Sequence, residues 1–169
     1  HKELNRFAAR TALGEFLAAA VDVAAPRPGP LIVIPVPSRP GVSRRRGYDP
    51  TRALTSSAVR TLRRLGREAT MLPVLRSRGA PADQGGLDAV ARARNVAGSL
   101  WVPGDQQRRL QRQVAGTGGR WQAVICDDVL TTGATALEAQ RALTAIGLVP
   151  DAIATVAASV RRHRSARSF

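Results

Sequence analysis

The chain has 169 residues, with 26 Lys or Arg against 12 Asp or Glu and a formal net charge of +14. Its 44% hydrophobic and 22% charged content excludes a disordered chain and suffices for the core of one domain spanning residues 1–169. No run approaches the roughly 20 apolar residues of a membrane span, and no signal-peptide pattern is present. The single cysteine excludes an internal disulfide framework or multi-cysteine zinc site in this chain, so a reducing, cytoplasmic setting is expected. The first residue is His1, which leaves room for a natural start upstream.

In chain order, Leu4, Phe7, Ala8, Leu13, Phe16, Leu17, Ala20 and Val21 follow helical spacing and predict a helix over residues 3–24. The Arg-Pro-Gly-Pro sequence at 27–30 breaks it. Residues 31–36 are apolar and β-branched, as in a central strand, and Pro35-Val36-Pro37 ends them. Residues 51–65 read as a helix with Ala53, Leu54, Ala58, Val59, Leu62 and Leu65 inward, stopped by Gly66. A second strand is expected over 69–75.

Residues 76–95 hold Gly79, Pro81, Gly85 and Gly86 without an apolar period. A loop of this length in a compact domain is usually functional or disordered. A strand over 97–102, a short polar helix over 105–113 and a glycine-rich link over 116–119 follow. Next come an apolar strand around 123–126, a helix over 136–146 and a last strand over 152–159. Strands alternating with helices predict a parallel sheet flanked by helices on both faces.

The densest information lies in residues 123–135. The apolar run from Ala123 to Cys126 leads into Asp127 and Asp128, then Val129, Leu130, Thr131, Thr132, Gly133, Ala134 and Thr135. Cys126, inside that strand, reads as a small buried residue and not as a nucleophile. Open α/β sheets place ligands at the carboxyl ends of their strands, where the two acids are expected. The turn from Thr131 to Thr135 offers backbone N–H groups, hydroxyls and a helix N-terminus to one anion. Gly133 permits close backbone approach. The paired carboxylates suit vicinal sugar hydroxyls and a Mg²⁺ ion. The simpler alternative is an ordinary strand-to-helix turn with Thr131 as N-cap.

This pattern resembles the phosphoribosyl-pyrophosphate (PRPP) signature of type I phosphoribosyltransferases. Three further segments narrow the resemblance: Pro35-Val36-Pro37-Ser38-Arg39, then Arg46-Gly47-Tyr48-Asp49, then Pro81, Gln84, Leu87, Arg92, Arg94 and Asn95. Together they resemble the ComF family of phosphoribosyltransferase-like proteins, associated with bacterial competence for DNA uptake. Glutamine amidophosphoribosyltransferases share some of these elements more distantly.

The resemblance implies a Rossmann-like parallel sheet with a flexible hood loop near 76–95 that closes over PRPP. It also implies a pyrophosphate loop at Pro37, Ser38 and Arg39, and a phosphate contact at Arg46. Asp127 and Asp128 would hold ribose and Mg²⁺, and residues 129–135 would complete the PRPP site. The implied activity is Mg²⁺-dependent transfer of phosphoribosyl to a nitrogen acceptor with pyrophosphate release.

The chain departs from the family by lacking a four-cysteine zinc ribbon and by carrying Asp49 where Asn is more usual. Thr131 stands where 6-oxopurine salvage enzymes place an acid, which disfavours such a base. No His, Cys or Lys stands out as a general base, since His1, His163 and Lys2 lie in terminal segments.

The alternative is a non-catalytic PRPP-fold protein of competence that senses ligand or binds nucleic acid. Arginine clusters at 44–46, 60–67, 108–112 and 161–167 make nonspecific, salt-sensitive nucleic-acid binding an expectation of that reading. Aromatics make up only 4% of the chain and are not interleaved with these clusters, so a stacking platform for single strands is poorly supported. A homodimer is compatible with either reading, and no membrane partner is expected.

Overall fold

The computed structural model describes residues 2–38, 47–78 and 96–158. Among them, helix α1 (Lys2–Ala24) precedes strand β1 (Leu31–Pro35), helix α2 (Pro50–Arg64) and strand β2 (Ala69–Met71). Strands β3 (Arg76–Ser77) and β4 (Leu100–Trp101), helix α3 (Gly104–Ala115), strand β5 (Gln122–Leu130), helix α4 (Ala134–Thr144) and strand β6 (Ala152–Ala158) follow. Arg39, Arg46, most of the expected hood (79–95) and the basic 161–167 segment lie outside the described residues.

The main sheet is parallel, in the order β2-β1-β5-β6. From its centre, the β1–α2–β2 and β5–α4–β6 connections run in opposite directions. Right-handed crossovers therefore require α2 and α4 on opposite faces, and the core divides accordingly. Leu31 and Val33 of β1 and Val124 and Cys126 of β5 pack with Leu17 and Val21 of α1 and with Leu54, Ala58 and Leu62 of α2. Their strand neighbours Ile32, Ile34, Ala123 and Ile125 pack with Leu110 of α3 and with Ala139, Ala142 and Leu143 of α4. This is an α/β protein with a parallel four-stranded sheet covered by helices on both faces, compatible with a Rossmann-like fold.

The expected second strand is shorter than its apolar run. Only Ala69–Met71 pairs with β1, because Pro73 has no N–H for a ladder. Residues 72–75 continue as buried irregular chain, apart from half-buried Pro73. The strand expected over 97–102 contracts to Leu100–Trp101, which pairs antiparallel with Arg76–Ser77. This small ribbon brings together the two ends of the 79–95 segment. Arg78 lies over the Trp101 ring at 5.5 Å, within cation–π range. Leu65, expected to face inward, is the C-cap that follows α2 and is 74% exposed, so the inward stripe of that helix ends at Leu62.

Two contacts fix helices to their neighbours. Gly14 is buried where α1 meets α2, and a Cβ there would stand 2.6 Å from the Ser57 Cβ. On the opposite face, the buried Glu138 carboxylate accepts the Leu100 amide at 3.1 Å. Arg141 donates to Glu138 at 2.7 and 2.8 Å and to the Leu100 carbonyl at 3.0 Å. The pair thereby behaves as a substitute strand edge for β4. Burial alone would raise the Glu138 carboxyl, but the Arg141 and backbone hydrogen bonds outweigh it and hold the group below its ordinary value.

Gly14→Ala should destabilise the fold by about 1–3 kcal/mol in denaturant melts, because overpacking against Ser57 outweighs the better helix propensity of alanine. Glu138→Ala should cost about 2–3 kcal/mol, since it strands the Leu100 amide and removes the partner of Arg141. Wild-type midpoints for either variant would contradict these packing assignments.

Candidate functional site

The parallel pairing of β1 with β5 ends at Pro35 opposite Cys126, with one more bond from the Val36 amide to the Cys126 carbonyl at 2.8 Å. Beyond that point β5 continues through Asp127, Asp128, Val129 and Leu130, with β6 beside it on one edge only. Chain connections leave in opposite directions here, so a crevice opens at the carboxyl ends of β1 and β5. The two acids therefore stand within the last four residues of the strand and not beyond its end.

Strand alternation places Asp127 on the α4 side, in line with Ala123 and Ile125, and Asp128 on the α1/α2 side, in line with Val124 and Cys126. Asp127 Oδ1 accepts the Asp128 amide at 2.9 Å, and Asp128 Oδ1 accepts the Val129 amide at 2.8 Å. The Thr155 hydroxyl donates toward the Asp128 carbonyl at 3.1 Å and anchors the segment to β6. Burial, with the neighbouring Asp128 charge added, raises the Asp127 carboxyl to about 6, although the Asp128 amide opposes the shift. Cys126 is buried and its thiol is pushed well above its ordinary value, first by burial and then by Asp127. It is inert as a nucleophile at neutral pH.

After Leu130 the chain turns through Thr131, Thr132 and Gly133 into α4. Gly133 is the N-cap, with a left-handed φ of 74° and no side-chain cap bond. Nothing lies within 4 Å of a Cβ added there, so the backbone angle, and not crowding, calls for glycine. Thr131 does not cap the helix. Thr132 Oγ1 accepts only a long 3.4 Å bond from the Ala134 amide. Ala134 and Thr135 already belong to the first helical turn, and α4 ends at Thr144, two residues short of the expected boundary. Its N-terminus therefore presents main-chain donors and the positive end of the helix dipole toward the crevice.

The chain after β1 supplies the other wall. A cleft of roughly 410 Å³ lies at the end of β1, lined by Pro35, Pro37, Ser38, Asp49, Arg52 and Arg76 among others. The Ser38 amide donates to Asp49 Oδ2 at 3.1 Å, and the Ser38 hydroxyl donates to Oδ1 at 2.7 Å. Asp49 also caps α2 by accepting the Arg52 amide at 3.0 Å. Arg52 and Arg76 are cleft residues that sequence reading did not single out. Their only signal was charge beside two predicted loops.

Among the described residues no cluster of three or more His, Cys, Asp or Glu side chains forms a metal site. The Asp127–Asp128 pair still suits Mg²⁺, which commonly takes one or two carboxylates and completes its shell with substrate phosphates and water. Among the described residues, no helix is long and apolar enough to cross a membrane.

The architecture is that of a doubly wound α/β protein with a polar cleft at the carboxyl end of β1. The chain matches no protein-family model and no curated protein.

The raised Asp127 carboxyl has a stability consequence. Its folded pKa lies above the unfolded value, so the folded state binds the proton more tightly. That contribution is complete below pH 4 and is lost as pH rises toward and through 6. Asp127→Asn should therefore raise stability at pH 7.5 by on the order of 1–2 kcal/mol and have little effect near pH 4. Urea melts at the two pH values test this, and equal shifts at both would contradict it.

Proposed function

We propose that this chain binds PRPP with Mg²⁺ and transfers the phosphoribosyl group to a nitrogen acceptor, as a member of the ComF branch of type I phosphoribosyltransferase-like proteins. The observation that carries the reading is the N-terminus of α4, without a side-chain cap behind left-handed Gly133, five residues after Asp128 near the open end of β5. An anion receiver and adjacent sugar-hydroxyl acceptors at one switch point match a phosphorylated ribose.

In this reading the Thr131–Thr135 amides and hydroxyls hold the 5′-phosphate. Asp127 and Asp128 accept hydrogen bonds from the ribose hydroxyls and supply the protein ligands of Mg²⁺. Their placement on opposite sides of β5 orients a sugar that lies along the open edge of that strand. The cleft at Ser38, with Arg52 and Arg76, receives the pyrophosphate end. Mg²⁺, when bound, neutralises phosphate charge and favours pyrophosphate as leaving group.

As the acceptor nitrogen forms its bond to the anomeric carbon, the carbon–oxygen bond to pyrophosphate breaks and its electron pair leaves with that oxygen. The nitrogen's proton passes to water. Lysine occurs only at position 2 and histidine only at 1 and 163, so an acceptor amine that needs little activation suits this chain. Holding the two reactants in line does most of the work.

A second reading, ligand sensing without transfer, draws on the engagement of the Ser38 donors by Asp49, which competes with pyrophosphate. Its nucleic-acid component draws on exposed Arg108, Arg109 and Arg112 of α3, a surface whose binding would weaken with salt. Pyrophosphate release on addition of PRPP and an amine separates the two readings.

Calorimetric titration with PRPP should show binding that requires Mg²⁺ and weakens at least about tenfold in Asp128→Asn. Affinity should also fall as pH drops below about 6, where Asp127 takes up its proton. Unchanged affinity in both Asp127→Asn and Asp128→Asn would defeat the assignment.

A further inference from the structure

We propose that Asp49 is an intrinsic anion occupying the donors at the end of β1, so that it sets the affinity of this cleft for pyrophosphate. The inference rests on the reading that this cleft receives the pyrophosphate end of PRPP.

Capping α2 requires only the bond from the Arg52 amide to Asp49 Oδ1, 3.0 Å long. Asp49 makes two further bonds, from the Ser38 amide at 3.1 Å and the Ser38 hydroxyl at 2.7 Å, which capping does not explain. Among the described residues, one carboxylate thus collects three donors from two chain segments, the arrangement in which a protein holds a bound oxyanion. Thr51, only 2% exposed, places its hydroxyl 3.2 Å from Ser38 Oγ. Because Ser38 gives its single hydroxyl proton to Asp49, Thr51 must donate to Ser38, and this fixes the direction of the chain Thr51 to Ser38 to Asp49.

The same carboxylate lines the cleft beside Arg52 and Arg76. A polyanion entering there meets a cation-bearing wall, but it finds the Ser38 amide and hydroxyl engaged by a like charge. It must displace Asp49 or bind without these donors. Asp49 therefore weakens retention of free pyrophosphate, the product that would otherwise remain in so basic a site.

Asparagine at this position keeps the cap and one acceptor for Ser38 while removing the charge. Wild type and Asp49→Asn would be titrated calorimetrically with inorganic pyrophosphate in Mg²⁺ buffer. Asp49→Ser, which also caps, provides a second charge-free form should the first fold poorly. The expected result is a pyrophosphate affinity about tenfold or more higher in the charge-free variants, with thermal midpoints close to wild type. Equal or weaker pyrophosphate affinity in both variants reduces Asp49 to a helix cap and overturns the proposal, as does a lack of pyrophosphate binding in all three proteins. The PRPP titration of Asp127→Asn and Asp128→Asn judges the wider reading separately. PRPP binding that depends on those acids, together with unchanged pyrophosphate affinities, would overturn the role of Asp49 alone.

Discussion

The parallel pairing of β1 with β5 is the constraint on which the rest of the structure depends. Five residue pairs, from Leu31 with Gln122 to Pro35 with Cys126, join two segments some ninety residues apart. Every one of these ten residues is buried. The loop-closure entropy of so distant a contact is offset because the paired stretch is buried on both faces and, apart from Gln122, apolar. Once this pair forms, right-handed connection sends α2 to one face and α4 to the other. The crevice between their N-termini follows from topology and requires no dedicated side chain.

The chain carries an excess of arginine, and the ion pairs among the described residues engage Asp22, Glu138 and Asp151. Asp127 and Asp128 take part in none of those pairs. They hold backbone amides instead, and among the described residues no guanidinium pairs with the partly buried Asp127. Buried charge held without an ion pair is a local cost, and such costs concentrate where a ligand completes the arrangement.

Much of this architecture was legible in the sequence. The long elements announced themselves because burial on both faces writes an unbroken apolar run, as in residues 31–35 and 123–126, and because α2 and α4 repeat at helical spacing. What was not legible depends on distance or on small counts. A ribbon of two residues per strand, Arg76–Ser77 with Leu100–Trp101, has no period to detect. The Ser38–Asp49 bonds span eleven positions, and the burial of Glu138 depends on Leu100, 38 positions earlier. Gly14 looks like an ordinary weak point in a helix until α2 is laid against it. The acids and the threonine turn were identifiable as a constellation, but their disposition on opposite sides of β5 depends on the strand continuing to Leu130. That continuation reflects pairing with β6 and not the local composition of Asp127 and Asp128.

The N-termini of α2 and α4 both point toward the carboxyl edge of the sheet, and the chain treats them differently. At α2, Pro50 occupies the first turn, where a missing N–H does no harm, and Asp49 accepts both the Arg52 amide and the donors of Ser38. At α4, the cap is a glycine without a side chain, and the nearest hydroxyl makes only a 3.4 Å bond. The extended backbone at 49 accommodates a side-chain cap, whereas the left-handed φ of 74° at Gly133 calls for glycine, which as an N-cap costs only roughly a few tenths of a kcal/mol against Ser or Asp. On the proposed PRPP reading the two ends of the crevice would have different tasks: the α4 end, without a side-chain cap, would hold the anion that stays bound, and the α2 end, which carries its own anion, would suit the group that leaves.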